Sequence, residues 1–306
     1  MPDRRTFLGA LGASAGAALL PGAARAAGRT LAIPPGLQLW TVKEELAKDF
    51  TGTLARLRAI GYRRVESAGW VGRTPAEFAA AVRAAGLECT SCHFGMGDLM
   101  TDAGADAKLA EAKAVGAAYV VASSPALSRP LPQNMPWSHA VATGMTLADW
   151  RANAERMNVV GAKARALGMT FGYHNHSAEF LIYEGKLAWG EIVRITDPAL
   201  VAMELDLGWV AGAGVDPARM LQMGGKRVQL LHVKDLKTTE RTPHKIVADE
   251  TTTPIGKGSI DWKGVFAAAD AHAAIHSWFV EQEAPFVQPP LDALAESMTY
   301  LKTLAA

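Results

Sequence analysis

The chain has 306 residues, 31 Lys and Arg against 30 Asp and Glu, and 49% hydrophobic residues. That apolar content with a net charge of +1 excludes a disordered chain, and near-neutrality leaves no electrostatic footprint for nucleic acid or an anionic membrane. Two cysteines cannot staple a disulfide-rich scaffold, whereas the length can bury the core of one large domain or two ordinary ones.

Residues 1–26 read as an export leader outside the fold. Arg4-Arg5 opens a charged start, Phe7 to Leu20 is apolar and rich in Ala and Gly, and Ala24-Arg25-Ala26 offers an A-x-A cleavage site. The apolar stretch is shorter than the about 20 residues that span a bilayer. RRTFL after a short polar start resembles the twin-arginine motif. It places the mature chain, 27–306, in the periplasm as one domain with no membrane attachment after cleavage.

Eight short runs rich in β-branched or aromatic residues follow: GLQLW (36–40), YRRVES (62–67), LECTSCHF (87–94), AYVVAS (118–123), MTFGYHNH (169–176), LVAMELDLGW (200–209), VQLLHVKD (228–235) and SWFVEQE (277–283). Helix-period segments alternate with them. Thr74 to Glu77 forms a capping box for a helix that Gly86 closes, a longer helix runs from Asp149 to Leu167, and Asp216-Pro217 opens another. Strand and helix alternating eight times predict a parallel (β/α)8 barrel, for which about 250 residues is usual. A doubly wound sheet would show a Gly-rich phosphate loop after the first strand, and LQLWTVKEEL has none.

Three connections are long: 123–146, 236–262 and the APFVQPP tail of the last strand. Each follows a strand C-terminus, the catalytic face of a barrel, so each reads as a lid or binding loop. The ends of the strands also carry residues a core would reject: Gln38, Glu66, His93, His174, His176, Glu204, Asp206, His232, Lys234, Asp235, Glu281 and Glu283. One such residue means little, but imidazoles and carboxylates at most of eight strand ends converge on one mouth. Alternation puts His174 with His176, and Glu204 with Asp206, on shared faces. Asp206, His232, Glu281 and one His of the fifth strand make a mixed N/O set suited to one divalent ion, Mn²⁺, Zn²⁺, Co²⁺ or Mg²⁺. Cys89 and Cys92, three apart on a strand, are expected to face opposite sides as two buried thiols. Trp40, Trp70, Trp137 and Trp209 are candidates for stacking on sugar faces. His139, His244, His272 and His276 read as surface or structural.

GLQLWTV, GYRRVES, GYHNHSAEF, ELDLGWV, HVKD, GKGSIDW and FVEQE, in this order, resemble the sugar phosphate isomerase/epimerase family of xylose isomerase-like barrels. YHNHxxEF with HVKD marks an often exported branch. The resemblance implies one divalent metal held by Glu, Asp, His and Glu of strands five to eight, the last three being Asp206, His232 and Glu281. The fifth-strand Glu is absent, and His174 or His176 stands in its place, so the two-Glu acid/base mechanism of the family does not carry over. His176 is taken here with the metal ligands and His174 with the catalytic groups. Trp209 stands three residues after Asp206, where several sugar isomerases have a His.

The chemistry implied is proton removal from a carbon beside a metal-polarised carbonyl, giving an enediolate. Glu66, His174 and Glu281 are the catalytic candidates with Lys234, which would neutralise the enediolate oxygen; Gln38, His93, Trp209 and Lys257 are the substrate-binding candidates. The expected activity is a sugar isomerase or epimerase. The alternatives are a lyase or hydrolase of an oxidised glycoside, such as a 3-keto-glycoside, and a non-catalytic sugar-binding barrel. Export argues against a phosphorylated substrate. A repair nuclease would need a basic groove, which the composition lacks. The partner is thus a small carbohydrate, and a homo-oligomer is compatible with the sequence.

Overall fold

A computed structural model describes residues 28–131, 134–237 and 252–305. Residues 1–26, read above as an export leader, and His244 lie outside the described residues. Eight parallel strands close into a barrel: β1 (Gly36–Gln38), β2 (Arg64–Ala68), β3 (Glu88–Gly95), β4 (Tyr119–Ser124), β5 (Thr170–His174), β6 (Val201–Asp206), β7 (Val228–Val233) and β8 (Ser277–Val280). Each neighbours the next in sequence, and β8 returns to β1. After each strand comes a covering helix: α1 (Phe50–Ile60), α2 (Pro75–Ala84), α3 (Asp102–Val115), α4 (Leu147–Ala166), α5 (Ala188–Ile195), α6 (Pro217–Gly224), α7 (Trp262–His272) and α8 (Pro290–Ala305). No helix among the described residues is long and apolar enough to cross a membrane.

Local chemistry sets the helix ends. Thr74 accepts from the Glu77 backbone N–H and Glu77 accepts from that of Thr74, the reciprocal cap the sequence predicts. A second such pair, Thr146 with Asp149, starts α4 two residues before the predicted Asp149. Gly116 ends α3 in the left-handed conformation, φ 85°, which a side chain would resist.

The barrel interior is layered. Tyr119, Val121, Leu230 and Phe279 form a separate apolar cluster inside it. The Tyr119 hydroxyl bonds Gln229 (2.9 Å) and the His276 ring (2.6 Å), which bears out a structural role for His276. The Phe279 ring stands edge-on to the His232 ring, centroids 6.2 Å apart, where the apolar layer gives way to a polar one.

A bulge in β3 sets the faces. Val65 pairs with Cys89 but Glu66 pairs with Ser91, so Thr90 is the extra residue. Ser91 and His93 thereby fall opposite Glu66 and Ala68. The bulge corrects the expectation for the cysteines: one residue is absorbed, so Cys89 and Cys92 share a face. Both are buried and free. The Cys92 thiol, hydrogen-bonded beside it, and burial together push the Cys89 thiol well up.

Candidate metal centre and cavity

The polar layer at the strand C-termini is built in two tiers around His232, which is fully buried. Its two ring nitrogens face opposite ways. Nδ1 meets Glu281 Oε2 at 2.8 Å and Asp206 Oδ2 at 3.8 Å; Nε2 meets Glu66 Oε2 at 2.7 Å and Glu204 Oε2 at 3.3 Å.

The outer tier faces the cavity. His174, Asp206, His232 and Glu281 each offer a ligand atom, all within 4.8 Å of one another. Asp206 caps the helix Leu207–Gly212 by accepting from the Trp209 N–H (2.8 Å), which leaves Oδ2 to face the group. That oxygen and His174 Nδ1 are buried and make no hydrogen bond, although Lys234 Nζ lies 3.0 Å from Oδ2 as an ion pair. Unsatisfied buried donors and acceptors of this kind are costly unless a cation or water completes them. Two imidazoles and two carboxylates therefore fit a divalent ion.

Lys234 is fully buried and sits among Asp206, Glu281 (3.1 Å) and Glu283, with its ammonium over the Trp209 ring. Burial alone would depress it, but the three carboxylates hold its pKa well above the usual lysine value. Glu281 is likewise opposed by burial and held low by Lys234 and His232. Gly208 makes this approach possible: a Cβ there would lie 2.7 Å from the Lys234 carbonyl oxygen and 2.8 Å from its Cγ.

The inner tier lies below. Glu66 accepts from Gln38 Nε2 (2.8 Å), and His93 Nε2 lies 3.0 Å from Glu66 and 2.7 Å from Glu204. Gln38 Nε2 also meets His93 Nδ1 at 3.1 Å. Burial would raise Glu66, but the His93 and His232 charges outweigh it and hold it low. Burial would lower His93, but Glu66 and Glu204 outweigh it and lift it to about 9. Glu204 is raised to about 7 by burial and by the Glu66 charge.

Above both tiers is a cavity of about 440 Å³, lined by Gln38, Trp40, His93, Trp137, His174, His176, Trp209, Glu281 and Glu283 among others. Trp40 (47% exposed) and Trp137 (38%) stand at its rim, whereas Trp209 is buried. Trp70 is elsewhere: it meets Phe78 and Phe94 edge-on and donates to Glu111.

Three sequence expectations need correction. First, His174 and not His176 joins the outer ligand group. The strand ends at His174 and the chain turns there, because Asn175 bonds both backbone groups of Asp206 and Glu179 accepts the His176 N–H (3.0 Å). His176 is carried outward, its ring 4.6 Å from that of Trp137 and 5.9 Å from that of Trp209. Its Nδ1 has no partner, and burial, then Lys234, lower it to about 3, so the ring is neutral. Second, Glu66 is not at the mouth: it is fully buried behind His232 and does not line the cavity. Third, Lys257 is not in the site. Its turn is tied down by Asp235, which accepts from the Gly256 and Gly258 N–H groups and from Trp262 Nε1, and Lys257 pairs with Glu296 on α8 at 2.9 Å. This also explains why HVKD and GKGSIDW occur together: Asp235 is the anchor of that turn, not the partner of Lys234.

Two residues lay inside quoted motifs without being assigned a role. Asn175 locks the exit of β5 to β6. Glu179, fully buried, accepts from the Tyr173 hydroxyl (2.6 Å) and is pushed up to about 7 by burial. A buried Asn or Glu flanking a strand end was the available signal.

A closed parallel barrel with convergent imidazoles and carboxylates at its strand C-termini is an enzyme-type architecture. The chain belongs to the xylose isomerase-like TIM barrel family, whose pattern matches residues 54–304. It is 28% identical to an inosose dehydratase of Clostridium perfringens over 163 residues, 50% of this chain and 54% of that protein. The chain thus spans about half the length of the curated relatives it matches. A sugar phosphate isomerase/epimerase from Parabacteroides distasonis superposes with a TM-score of 0.68 at 20% identity, covering 91% of this chain and 97% of that one. The IOLI protein with a bound zinc atom superposes with a TM-score of 0.65 at 12% identity, covering 89% and 98%. The two superpositions speak to fold alone.

Proposed function

We propose that this chain is a divalent-metal-dependent enzyme that removes the proton beside the carbonyl of a sugar or cyclitol and passes through an enediolate. His174, Asp206, His232 and Glu281 would hold the ion, which when bound polarises the substrate carbonyl as a Lewis acid. The observation that carries the reading is His176: a neutral imidazole with a free Nδ1, facing the cavity between Trp137 and Trp209 just above the ligand group. The unpartnered Nδ1 is an acceptor aimed at the cavity, where a substrate C–H or hydroxyl would meet it, and the flanking indoles suit an apolar sugar face. Lys234, expected from the sequence to meet the oxyanion, is fully buried and does not line the cavity; its ammonium is held by Asp206, Glu281 and Glu283, so it positions the two carboxylate ligands instead. Glu66 stays behind His232 and fixes which ring nitrogen turns outward.

Epimerisation wants a group on each face of the carbon, and the fifth-strand carboxylate that would serve is replaced by His174. One base with a neighbouring cation suits loss of a leaving group from the next carbon, either a hydroxyl or a glycosidic oxygen. We therefore favour elimination, and the resemblance in sequence to inosose dehydratases supports that choice. Isomerisation, in which the same base returns the proton to the neighbouring carbon, is the second reading, since it needs no group beyond that base. The twin-arginine leader adds a periplasmic location and an unphosphorylated substrate; Arg4-Arg5→Lys-Lys should abolish export, and normal export of that variant would remove this part of the reading.

The test is incubation with keto-sugars, 3-keto-glycosides and carbonyl cyclitols in D₂O, with Mn²⁺, Zn²⁺, Co²⁺ or Mg²⁺. Deuterium uptake at carbon with loss of water or of an alcohol supports elimination. Uptake with an unchanged skeleton supports isomerisation. A panel with metal bound but no exchange at all would leave only a sugar-binding barrel.

A further inference from the structure

The inner tier has no assigned task beyond holding His232, yet its geometry is that of a ligand sphere. His93 Nε2, His232 Nε2 and His174 Nδ1 all converge on Glu204 Oε2, at 2.7, 3.3 and 3.3 Å. Glu66 Oε2 lies 2.7 Å from His232 Nε2 and 3.0 Å from His93 Nε2. Ligands about 2.0–2.3 Å from one ion stand about 3 Å from each other, so these separations match a shared cation as well as they match hydrogen bonds. His93, His174, Glu204 and His232 form a second set of potential ligands, which shares His174 and His232 with the outer one, with their atoms within 4.8 Å of one another. The second oxygens of both carboxylates, Glu66 Oε1 and Glu204 Oε1, are buried without any hydrogen-bond partner. So is His174 Nδ1. Three imidazoles and two carboxylates are too rich in ligands to serve only as the backing of one histidine.

We propose that His93, His174, Glu204 and His232, with Glu66 beside them, form a second divalent-cation site beneath the outer one. The two sites share His174 and His232; the His232 ring offers Nε2 inward and Nδ1 outward, so with both filled it would bridge the ions as an imidazolate. The donor set, richer in nitrogen than the outer group, selects borderline ions such as Zn²⁺ or Co²⁺ over Mg²⁺. Each tier carries two carboxylates, Glu66 with Glu204 inside and Asp206 with Glu281 outside, so each can neutralise one divalent charge.

The experiment is metal stoichiometry on the full chain, stripped with chelator, loaded with Co²⁺ or Zn²⁺, desalted and measured by elemental mass spectrometry. Two equivalents per chain are expected for the wild type, and one for Glu204→Gln and for His93→Gln. His93 reaches the cavity surface, so its replacement guards against a variant that merely misfolds, and melting curves check both. Fewer than two equivalents in the wild type, or two retained in either inner variant, overturns the proposal. So does loss of both ions from a normally melting His93→Gln protein. Asp206→Asn separates this proposal from the function above: one retained equivalent supports two sites, whereas two retained equivalents would instead remove the outer group from the metal assignment. No arm of the test depends on finding a substrate.

Discussion

The inside of this barrel holds two layers, β7 and β8 contributing to both by the same alternation, and they differ in their chemistry. Tyr119, Val121, Leu230 and Phe279 fill one with carbon; two steps further along the chain, His232 replaces Leu230's chemistry with an imidazole, and Glu281 follows Phe279 on the same face. The lower layer is held by packing, with one polar tether, the Tyr119 hydroxyl to Gln229 and His276. The upper one is a set of charges that stabilise each other only because all are present. The difference teaches where a substitution is felt: as stability below, as metal and turnover above.

The largest effect should break the upper layer at its hinge. His232→Ala removes the ring both tiers share, and turnover should fall at least about 10³-fold with loss of bound metal, measured by steady-state kinetics and elemental analysis. In the lower layer, Phe279→Ala should cost about 3–5 kcal/mol in denaturant unfolding through the cavity it leaves, while the folded protein keeps its metal. If Phe279→Ala instead lost metal without losing stability, the two layers would not be separable.

A pH scan sharpens the comparison. Glu179 is raised from 4.5 to about 7 by burial, so the fold favours its neutral form. That contribution is complete below pH about 4.5 and disappears as pH rises through 7, a loss of at most about 3 kcal/mol. Melting temperature of the wild type should therefore decline from pH 5 to 8 more steeply than that of Glu179→Gln; parallel curves would show that Glu179 does not titrate there. Glu66→Gln should weaken metal binding about 10–100-fold, read by competition with a chromophoric chelator, because it removes the carboxylate charge that orients His232. Lys257→Ala should change turnover less than about twofold and stability by less than about 0.5 kcal/mol, since an exposed pair on the outer surface contributes little.

Strand positions were legible because each of the eight runs is short, apolar and bounded by a helix-period segment. Convergence of Asp206, His232 and Glu281 was legible because charges at several strand ends have one place to meet. The bulge at Thr90 was not, since nothing in ECTSCHF distinguishes a residue that pairs from one that is skipped, and the faces of Cys89 and Cys92 went wrong with it. Alternation could not tell His174 from His176, because it assumes a strand that continues, and Asn175 ends it. Depth was equally hidden: Glu66 and His93 sit near the ends of neighbouring strands, yet His93 reaches the cavity and Glu66 lies behind a ring. Lys257 was misplaced because the Asp235 anchor that turns its loop away is visible only in three dimensions.

The carbon layer has a kinetic consequence. Phe279 and its neighbours fill the barrel beneath the polar layer, so substrate and product occupy the same cavity above it. Added product is therefore expected to compete with substrate, raising apparent KM.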